Sequence, residues 1–257
     1  MGYALVTGAS KGIGRAIAEE LARKGFSLLL VARSEDALKK ISGDLQDRYK
    51  VDVRYLSMDL AAPGSARAVV NWCNENNYQV NVLVNNAGYG LSGEFDKYPL
   101  NNHLDMMTLN MQVPVELCYL LLPALKKQPR SYILNIASTS AYQAIPLMSV
   151  YAASKVFILY FTRGLRQELK GTSVSVTCIS PGPTDSEFVV RAQIKEKGLK
   201  AAKKVNMTPE AVAGIAVKAM LDGKSEVITG ILNKLASFAS WLLPKSFIEK
   251  TAMKMYE

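Results

Sequence analysis

Tyr151 and Lys155 stand four positions apart in the chain, so on a helix they share one face, a turn from each other. A free phenol, with a pKa of about 10, is a poor base near neutrality, and a neighbouring ammonium lowers that value by favouring the phenolate. The pair could therefore move a proton at working pH; without other chemistry nearby it would be an ordinary polar helix face. A second group is Thr7-Gly8-Ala9-Ser10-Lys11-Gly12-Ile13-Gly14, lying between a short apolar run and an amphipathic stretch. A strand, a glycine turn and a helix N-terminus bring backbone N–H groups and the positive end of the helix dipole to where a pyrophosphate can sit. A tight strand-to-helix connection is the plainer alternative for the same glycines.

Other chemistries are poorly provided for. Cys73, Cys118 and Cys178 are odd in number, far apart and set in apolar segments, which suits a reducing compartment and neither a disulfide framework nor a cysteine metal site. His103 is the one histidine, so a metal site built from several histidines is ruled out and a Ser-His-Asp triad has a single possible base. No metal is expected, and the reaction should proceed without histidine.

The elements that must position these groups follow from periodicity. Short β-branched or aliphatic runs at 3–7, 26–32, 51–57, 80–85, 131–137, 174–180 and 226–229 alternate with helical patterns at 12–24, 35–48, 64–75, 101–126, 150–170 and 209–222. That alternation predicts βαβ units and a doubly wound, seven-stranded parallel sheet, its strands continuously apolar because helices cover both faces. With 257 residues and no repeat or Pro/Gly/Ser linker, one domain is expected. The segment 186–205 and the tail after 229 fall outside the alternation and should lie over the active-site end of the sheet. No stretch reads as a signal peptide or reaches the roughly 18 uninterrupted apolar residues of a spanning helix, so a cytoplasmic protein is expected.

The glycine spacing, Thr-Gly-x-x-x-Gly-x-Gly, resembles that of the short-chain dehydrogenase/reductase family, and further residues fit the resemblance in order: Asn85-Asn86-Ala87-Gly88 after the fourth strand, Asn110 in the next helix, Ser138 after the fifth strand, Tyr151 to Lys155, and Pro181-Gly182 after the sixth. The resemblance implies a Rossmann-type fold and a nicotinamide cofactor. It makes Ser138 the residue that positions the substrate oxygen, Tyr151 the proton donor, Lys155 its activator and a ribose ligand, and Asn110 the anchor of a water linking Lys155 to solvent. It places Gly8, Ser10, Lys11, Gly12, Ile13 and Gly14 around the pyrophosphate, Asp59 and Leu60 at the adenine, Asn86, Ala87 and Gly88 beside the adenosine ribose, and Pro181, Gly182, Thr184 and Ser186 along the nicotinamide. Thr184 stands where the family often has Ile or Val, and Ser186 where it often has Thr.

At the end of the second strand the sequence reads Val31-Ala32-Arg33-Ser34. A carboxylate there would receive a ribose 2′-hydroxyl; the cation Arg33, with Lys11, instead suits the 2′-phosphate of NADP(H). The substrate wall is expected from Leu91, Ser92, Ala144, Ile145, Met148, Pro183 and Phe188, which is mostly apolar and points to a lipophilic carbonyl or alcohol. Tyr142 either shapes the substrate mouth or is a packed aromatic.

The net charge of +9 is unevenly spread: residues 129–257 hold 17 Lys and Arg against 9 Asp and Glu, and the stretch 191–204 alone holds six cations and one anion. That stretch is either a solvated basic helix or a surface for an acyl thioester on coenzyme A or an acidic carrier protein, which makes a 3-oxoacyl thioester the leading substrate. A hydroxysteroid or general carbonyl reductase is the alternative within the family, and a silent cofactor sensor or scaffold the alternative outside it. The basic stretch lacks interleaved aromatics, so nucleic acid is not expected as a partner. Apolar residues 231, 235, 238 and 242 form a helical stripe in the tail, which could cap the pocket, join an interface or lie on a membrane, the first two being preferred. A homodimer or homotetramer through the helices of Asn110 and Tyr151 is expected, with Phe157, Phe161 and Gly164 at the contact.

Overall fold

The computed structural model describes residues 2–184 and 206–256. Ser186, Phe188 and the basic stretch 191–204 therefore lie outside the described residues. The seven strands are β1 (Tyr3–Thr7), β2 (Ser27–Ala32), β3 (Val53–Ser57), β4 (Val80–Asn85), β5 (Ser131–Ile136), β6 (Val174–Ser180) and β7 (Glu226–Ile228). They form one parallel sheet in the order β3-β2-β1-β4-β5-β6-β7, so the direction of winding reverses between β1 and β4. In an open sheet of this kind the ligand crevice lies at the carboxyl ends of the strands flanking that reversal.

Alternate strand residues go to opposite faces. Ala4, Val6, Leu28, Leu30, Val82 and Val84 pack with Ile17 and Leu21 of α1 (Gly12–Arg23), Leu38 of α2 (Glu35–Tyr49) and Val217 of a later helix, α7 (Pro209–Leu221). Leu5, Leu29, Val31, Leu83 and Ile133 pack the other way, against Val69 of α3 (Ser65–Glu75) and Leu117, Leu121 and Leu125 of α5 (Val113–Lys127). Each such side chain removed from water contributes about 1.5–3 kcal/mol, and the two layers clamp the sheet that carries the site.

The segment between β4 and β5, expected as one helix, is α4 (Leu100–Met107) and α5 joined by a π-helical turn over Thr108–Gln112. Its 28 residues, Leu100–Lys127, have the length and mean hydropathy of a membrane span, but Leu117, Leu121 and Leu125 of this segment face the sheet. Short 3-10 turns at Phe95–Lys97 and Thr139–Tyr142, unmarked by periodicity, lead into α4 and into α6 (Ser149–Glu168). Pro209 at the first turn of α7 and the Thr208 hydroxyl accepting from Ala211 N start that helix as the sequence suggests.

The tail is two helices, α8 (Ile231–Leu242) and α9 (Lys245–Tyr256), separated at Leu243-Pro244. Of the roles open to the stripe, capping the pocket is not the one seen: Ile231, Leu235, Phe238 and Leu242 are exposed, and the buried residues of α8 are Asn233, Ser237 and Ser240.

Candidate active site

The glycine turn is fixed by close approach. Gly8 and Gly12 have φ of 65° and 56°, in the left-handed region that glycine adopts without cost. A Cβ on Gly14 would run into the Gly8 carbonyl and the Asn86 amide, and one on Gly8 into Asn86 and Ala87. Gly8 N donates to Val31 O at 2.8 Å, which pins the turn to the end of β2. Lys11 holds the N-cap position of α1 and its side chain does not cap the helix, while Gly12, Ile13 and Gly14 of the first turn line the crevice. Backbone and space thus fit a pyrophosphate.

Asn86 acts on the turn from behind. Its Nδ2 donates to Thr7 O at 2.9 Å and Gly8 O at 3.3 Å, while the Thr7 hydroxyl accepts from the backbone N–H groups of Asn86 and Ala87 at 3.0 and 3.1 Å. The Asn86 amide group therefore braces β1 against the loop after β4.

A cleft of about 690 Å³ runs across the carboxyl ends of the strands. Its floor at one end is Gly8, Ser10, Lys11, Gly12, Ile13 and Gly14, with Arg33 beside them and Asp59 and Leu60 opposite; Asn86, Ala87 and Gly88 lie in the middle. Ser138, Tyr151 and Lys155 close the far end with Pro181, Gly182 and Thr184. Arg33 is exposed, and its guanidinium makes no hydrogen bond or ion pair among the described residues. Asp59 spends Oδ1 on the Ala61 N–H at 3.0 Å.

Lys155 and Tyr151 are both buried on α6. The Lys155 ammonium donates to the Ile136 carbonyl at 3.0 Å and lies 5.8 Å from the centre of the Tyr151 ring. Burial pushes its pKa down from 10.5 to about 8, with no carboxylate among the described residues offsetting the lost hydration. Ser138 sits at the head of the 139–142 turn, its hydroxyl oxygen accepting from Ser140 N at 3.1 Å. With one lone pair so occupied, its O–H is left to donate elsewhere.

Asn110 is not in the cleft wall but directly behind it. Its Oδ1 accepts from Tyr89 N at 3.1 Å, and its Nδ2 donates to Tyr89 O at 2.9 Å and to the Ser154 hydroxyl at 3.0 Å. A Cβ on Gly88 would collide with Asn110 Oδ1, so the glycine of the Asn-Ala-Gly motif makes room for this clamp. The clamp coincides with the π turn, a rare distortion that concentrates at functional sites.

Asn85 stands in the motif at the end of β4, but the buried Asn135 and Thr162 linked to it carried no sequence signal. Asn85 Nδ2 donates to Asn135 Oδ1 at 2.8 Å, and Asn135 Nδ2 to the Thr162 hydroxyl at 2.9 Å, a buried chain that ties β4, β5 and α6 together beneath Lys155. Asn102, Asp105 and Leu109 also line the substrate end. Leu91, Ile145, Met148 and Pro183 line it as expected, whereas Ser92 and Ala144 do not. Tyr142 faces away: its hydroxyl donates to Glu226 Oε1 at 2.6 Å and meets Ser180 Oγ at 3.1 Å, and its ring packs with Ala137, Ala141, Ile158 and Cys178. It is a packed aromatic, because the carboxylate of Glu226, held by Arg163 at 2.7 Å, draws its hydroxyl toward β7.

His103 is buried outside the main cleft, its Nε2 at 3.0 Å from Phe95 O and its ring stacked on Phe95. The three thiols are buried and unpaired, each pushed up to about 12 by burial, so none is a nucleophile at neutral pH.

Comparison with known proteins gives a consistent picture. The family model for short chain dehydrogenase matches residues 2–197. A very-long-chain 3-oxoacyl-CoA reductase from Rattus norvegicus is 28% identical over 257 residues, 98% of this chain and 78% of its own. The ketoacyl reductase HetN from Nostoc sp. is 32% identical over 231 residues, covering 87% and 77%. Among solved structures, a short-chain dehydrogenase from Sphingobium yanoikuyae in complex with NADPH superposes with a TM-score of 0.82 at 28% identity, covering 94% of this chain and 95% of that one.

Proposed function

This chain belongs to the short-chain dehydrogenase family of nicotinamide-dependent oxidoreductases, and we propose that it transfers a hydride between NADP(H) and a lipophilic carbonyl or alcohol, foremost a 3-oxoacyl thioester. The observation that carries the proposal is the Lys155 ammonium, buried and bound to Ile136 O, next to the Tyr151 ring at the end of a glycine-lined cleft. Bound there, the dinucleotide would supply the hydride in reduction and take it in oxidation. The turn 8–14 would hold its pyrophosphate, and Arg33 and Lys11 its 2′-phosphate.

The rest is done by this chain's own side chains. Ser138 O–H donates to the substrate oxygen and fixes it next to Tyr151. Tyr151 gives its proton to that oxygen as the carbonyl becomes an alcohol, and the phenolate left behind is stabilised by the Lys155 charge at close range. With a pKa of about 8, Lys155 stays protonated at pH 7 yet yields a proton readily to restore the phenol. The Asn110 side chain is committed to Tyr89 and Ser154, so a water carrying the proton from Lys155 to solvent would be held by groups other than that side chain.

The apolar wall of Leu91, Ile145, Met148 and Pro183 and the acyl substrates named for the Rattus and Nostoc relatives support an acyl chain over a sugar. Free, buried cysteines suit a reducing cytoplasm. Association through α5 and α6 is supported by the exposed Tyr119 and Tyr160, the stacked Phe157 and Phe161, 6.0 Å apart, and the open space at Gly164. The test is NADPH consumption with a panel of 3-oxoacyl-CoA esters, steroid ketones, aldehydes and sugars. Turnover should be highest on the thioesters. Turnover confined to the other classes overturns the substrate proposal, and NADPH binding without turnover on any of them overturns the proposed activity.

A further inference from the structure

Ordinary surface helices bury an apolar stripe and expose a polar face, and α8 does the reverse. Asn233 Nδ2 donates to Thr229 O at 2.9 Å and packs where a Cβ on Gly182 would otherwise be. The Ser240 hydroxyl reaches the carbonyls of Ser237 at 2.8 Å and Tyr142 at 3.3 Å. These inward bonds fix the rotation of the helix. They leave Ile231 76%, Leu235 59%, Phe238 58% and Trp241 72% exposed. Phe238 and Trp241 stack at 6.1 Å, and Phe247, at the start of α9, continues the apolar surface. A contiguous patch of large apolar side chains beside a well-packed core marks a face that is covered when the protein works.

Charge indicates what covers it. Lys234 is exposed on α8 beside the stripe, and Lys250 and Lys254 are exposed on α9, while the Lys245 ammonium donates to Ser240 O at 2.7 Å; Glu249 is the one acidic residue between 230 and 256. A two-fold contact between copies would set these lysines against their own images, an arrangement that opposes association. An anionic bilayer surface would pair with them. Aliphatic side chains would then enter the edge of the hydrocarbon, the aromatic pair would sit at the headgroups, and the lysine stems would run along the stripe with their ammonium groups among the phosphates.

We propose that α8 and α9 form an interfacial anchor that docks this chain in plane on an anionic membrane surface. The proposal does not depend on the substrate class. Because Asn233 packs against Gly182 in the cleft wall, the helix that docks is seated on the cleft by its inner face and meets the lipid with its outer one.

The experiment is flotation of the full chain with vesicles of phosphatidylcholine alone or of equal parts phosphatidylcholine and phosphatidylglycerol, paired with Trp241 emission in a Trp72→Phe background. The protein should float with the anionic vesicles and bind neutral ones at least about tenfold more weakly, since the lysines are attracted by the net negative charge of the anionic surface. Trp241 emission should shift to the blue on binding. Phe238→Ser/Trp241→Ser should abolish flotation, and Lys234→Glu/Lys250→Glu should weaken it about tenfold or more, both without lowering the melting temperature. Failure to float overturns the proposal. If Trp241 is then already shielded without lipid, a mass that falls on Phe238→Ser/Trp241→Ser identifies a second copy as the cover, and an unchanged monomer mass identifies another part of this chain. Equal flotation on both vesicles, indifferent to the lysine reversals, also overturns it.

Discussion

Replacing Lys155 by methionine should destroy turnover and yet stabilise the cofactor-free protein at neutral pH. Burial without a carboxylate partner lowers the Lys155 pKa from 10.5 to about 8, and that interval corresponds to about 3 kcal/mol of penalty on the folded state at pH 7. Methionine keeps most of the volume and carries no charge, but it forfeits the hydrogen bond to Ile136 O, worth about 1 kcal/mol net. The variant should therefore be more stable by about 2 kcal/mol at pH 7, or about 4–8 °C in melting temperature for a chain of this size. The sign of the pH dependence follows from linkage. Folded Lys155 loses its proton near pH 8 while the unfolded side chain keeps it to about 10.5, so the wild-type penalty is fully present below pH 8 and is relieved as pH rises through that window. The advantage of the variant should shrink above pH 8 and vanish by about pH 10. Urea unfolding of both cofactor-free proteins across pH 7–10, read as the difference between them so that all other titrations cancel, measures this. A stability difference that stays flat over that range would refute the idea that Lys155 is held in the fold as a desolvated charge.

Tyr151→Phe removes one hydroxyl from a buried ring and should lower kcat by about 10²–10⁴-fold with NADPH binding retained; undiminished turnover would take Tyr151 out of the mechanism. Arg33→Ala should weaken NADPH binding by about 10–100-fold, the loss of charge-assisted hydrogen bonds worth about 1.5–3 kcal/mol, and leave NADH binding unchanged in parallel fluorescence titrations. Equal losses for both cofactors would separate Arg33 from the 2′-phosphate. Tyr142→Phe should cost about 1 kcal/mol of stability by cutting the bond to Glu226, with kcat and substrate preference unchanged, because the side chain faces away from the cleft. An altered preference would return it to the substrate mouth.

The parts of the site that could be read from residue order are those where geometry leaves one residue type possible. Gly14 faces the Gly8 carbonyl with no room for a Cβ, and any folded version of this turn needs glycine there. Strands were legible because helices on both faces force continuous apolar runs, though β3 begins at Val53 and not at Val51. There the chain turns at Asp52, whose carbonyl accepts from Leu28 N and whose carboxylate accepts from the Tyr3 hydroxyl. The π turn at Asn110 could not be read, since apolar residues recur on both sides of it and the distortion is tied to a clamp on Tyr89, distant in sequence. Asn135 is similar. In the chain it is one polar letter inside an apolar strand, and only the fold brings Asn85 and Thr162 to satisfy it.

The tail shows the same limit from the other side. Helical periodicity measures the width of an apolar stripe and does not say where it points. A stripe of residues 231, 235, 238 and 242 reads equally as a lid on the cleft or as an outer surface. What decides is Asn233, two positions along from the stripe's first residue. A backbone carbonyl at Thr229 and the missing side chain of Gly182 together make a socket for an amide, and a buried amide left without such a partner would cost about 1–3 kcal/mol. Seating Asn233 there turns Ser237 and Ser240 inward with it, since they lie four and seven residues on along the same helix face. The apolar stripe is then rotated away from the cleft by a polar contact, and its exposure is a consequence of how the cleft wall is built.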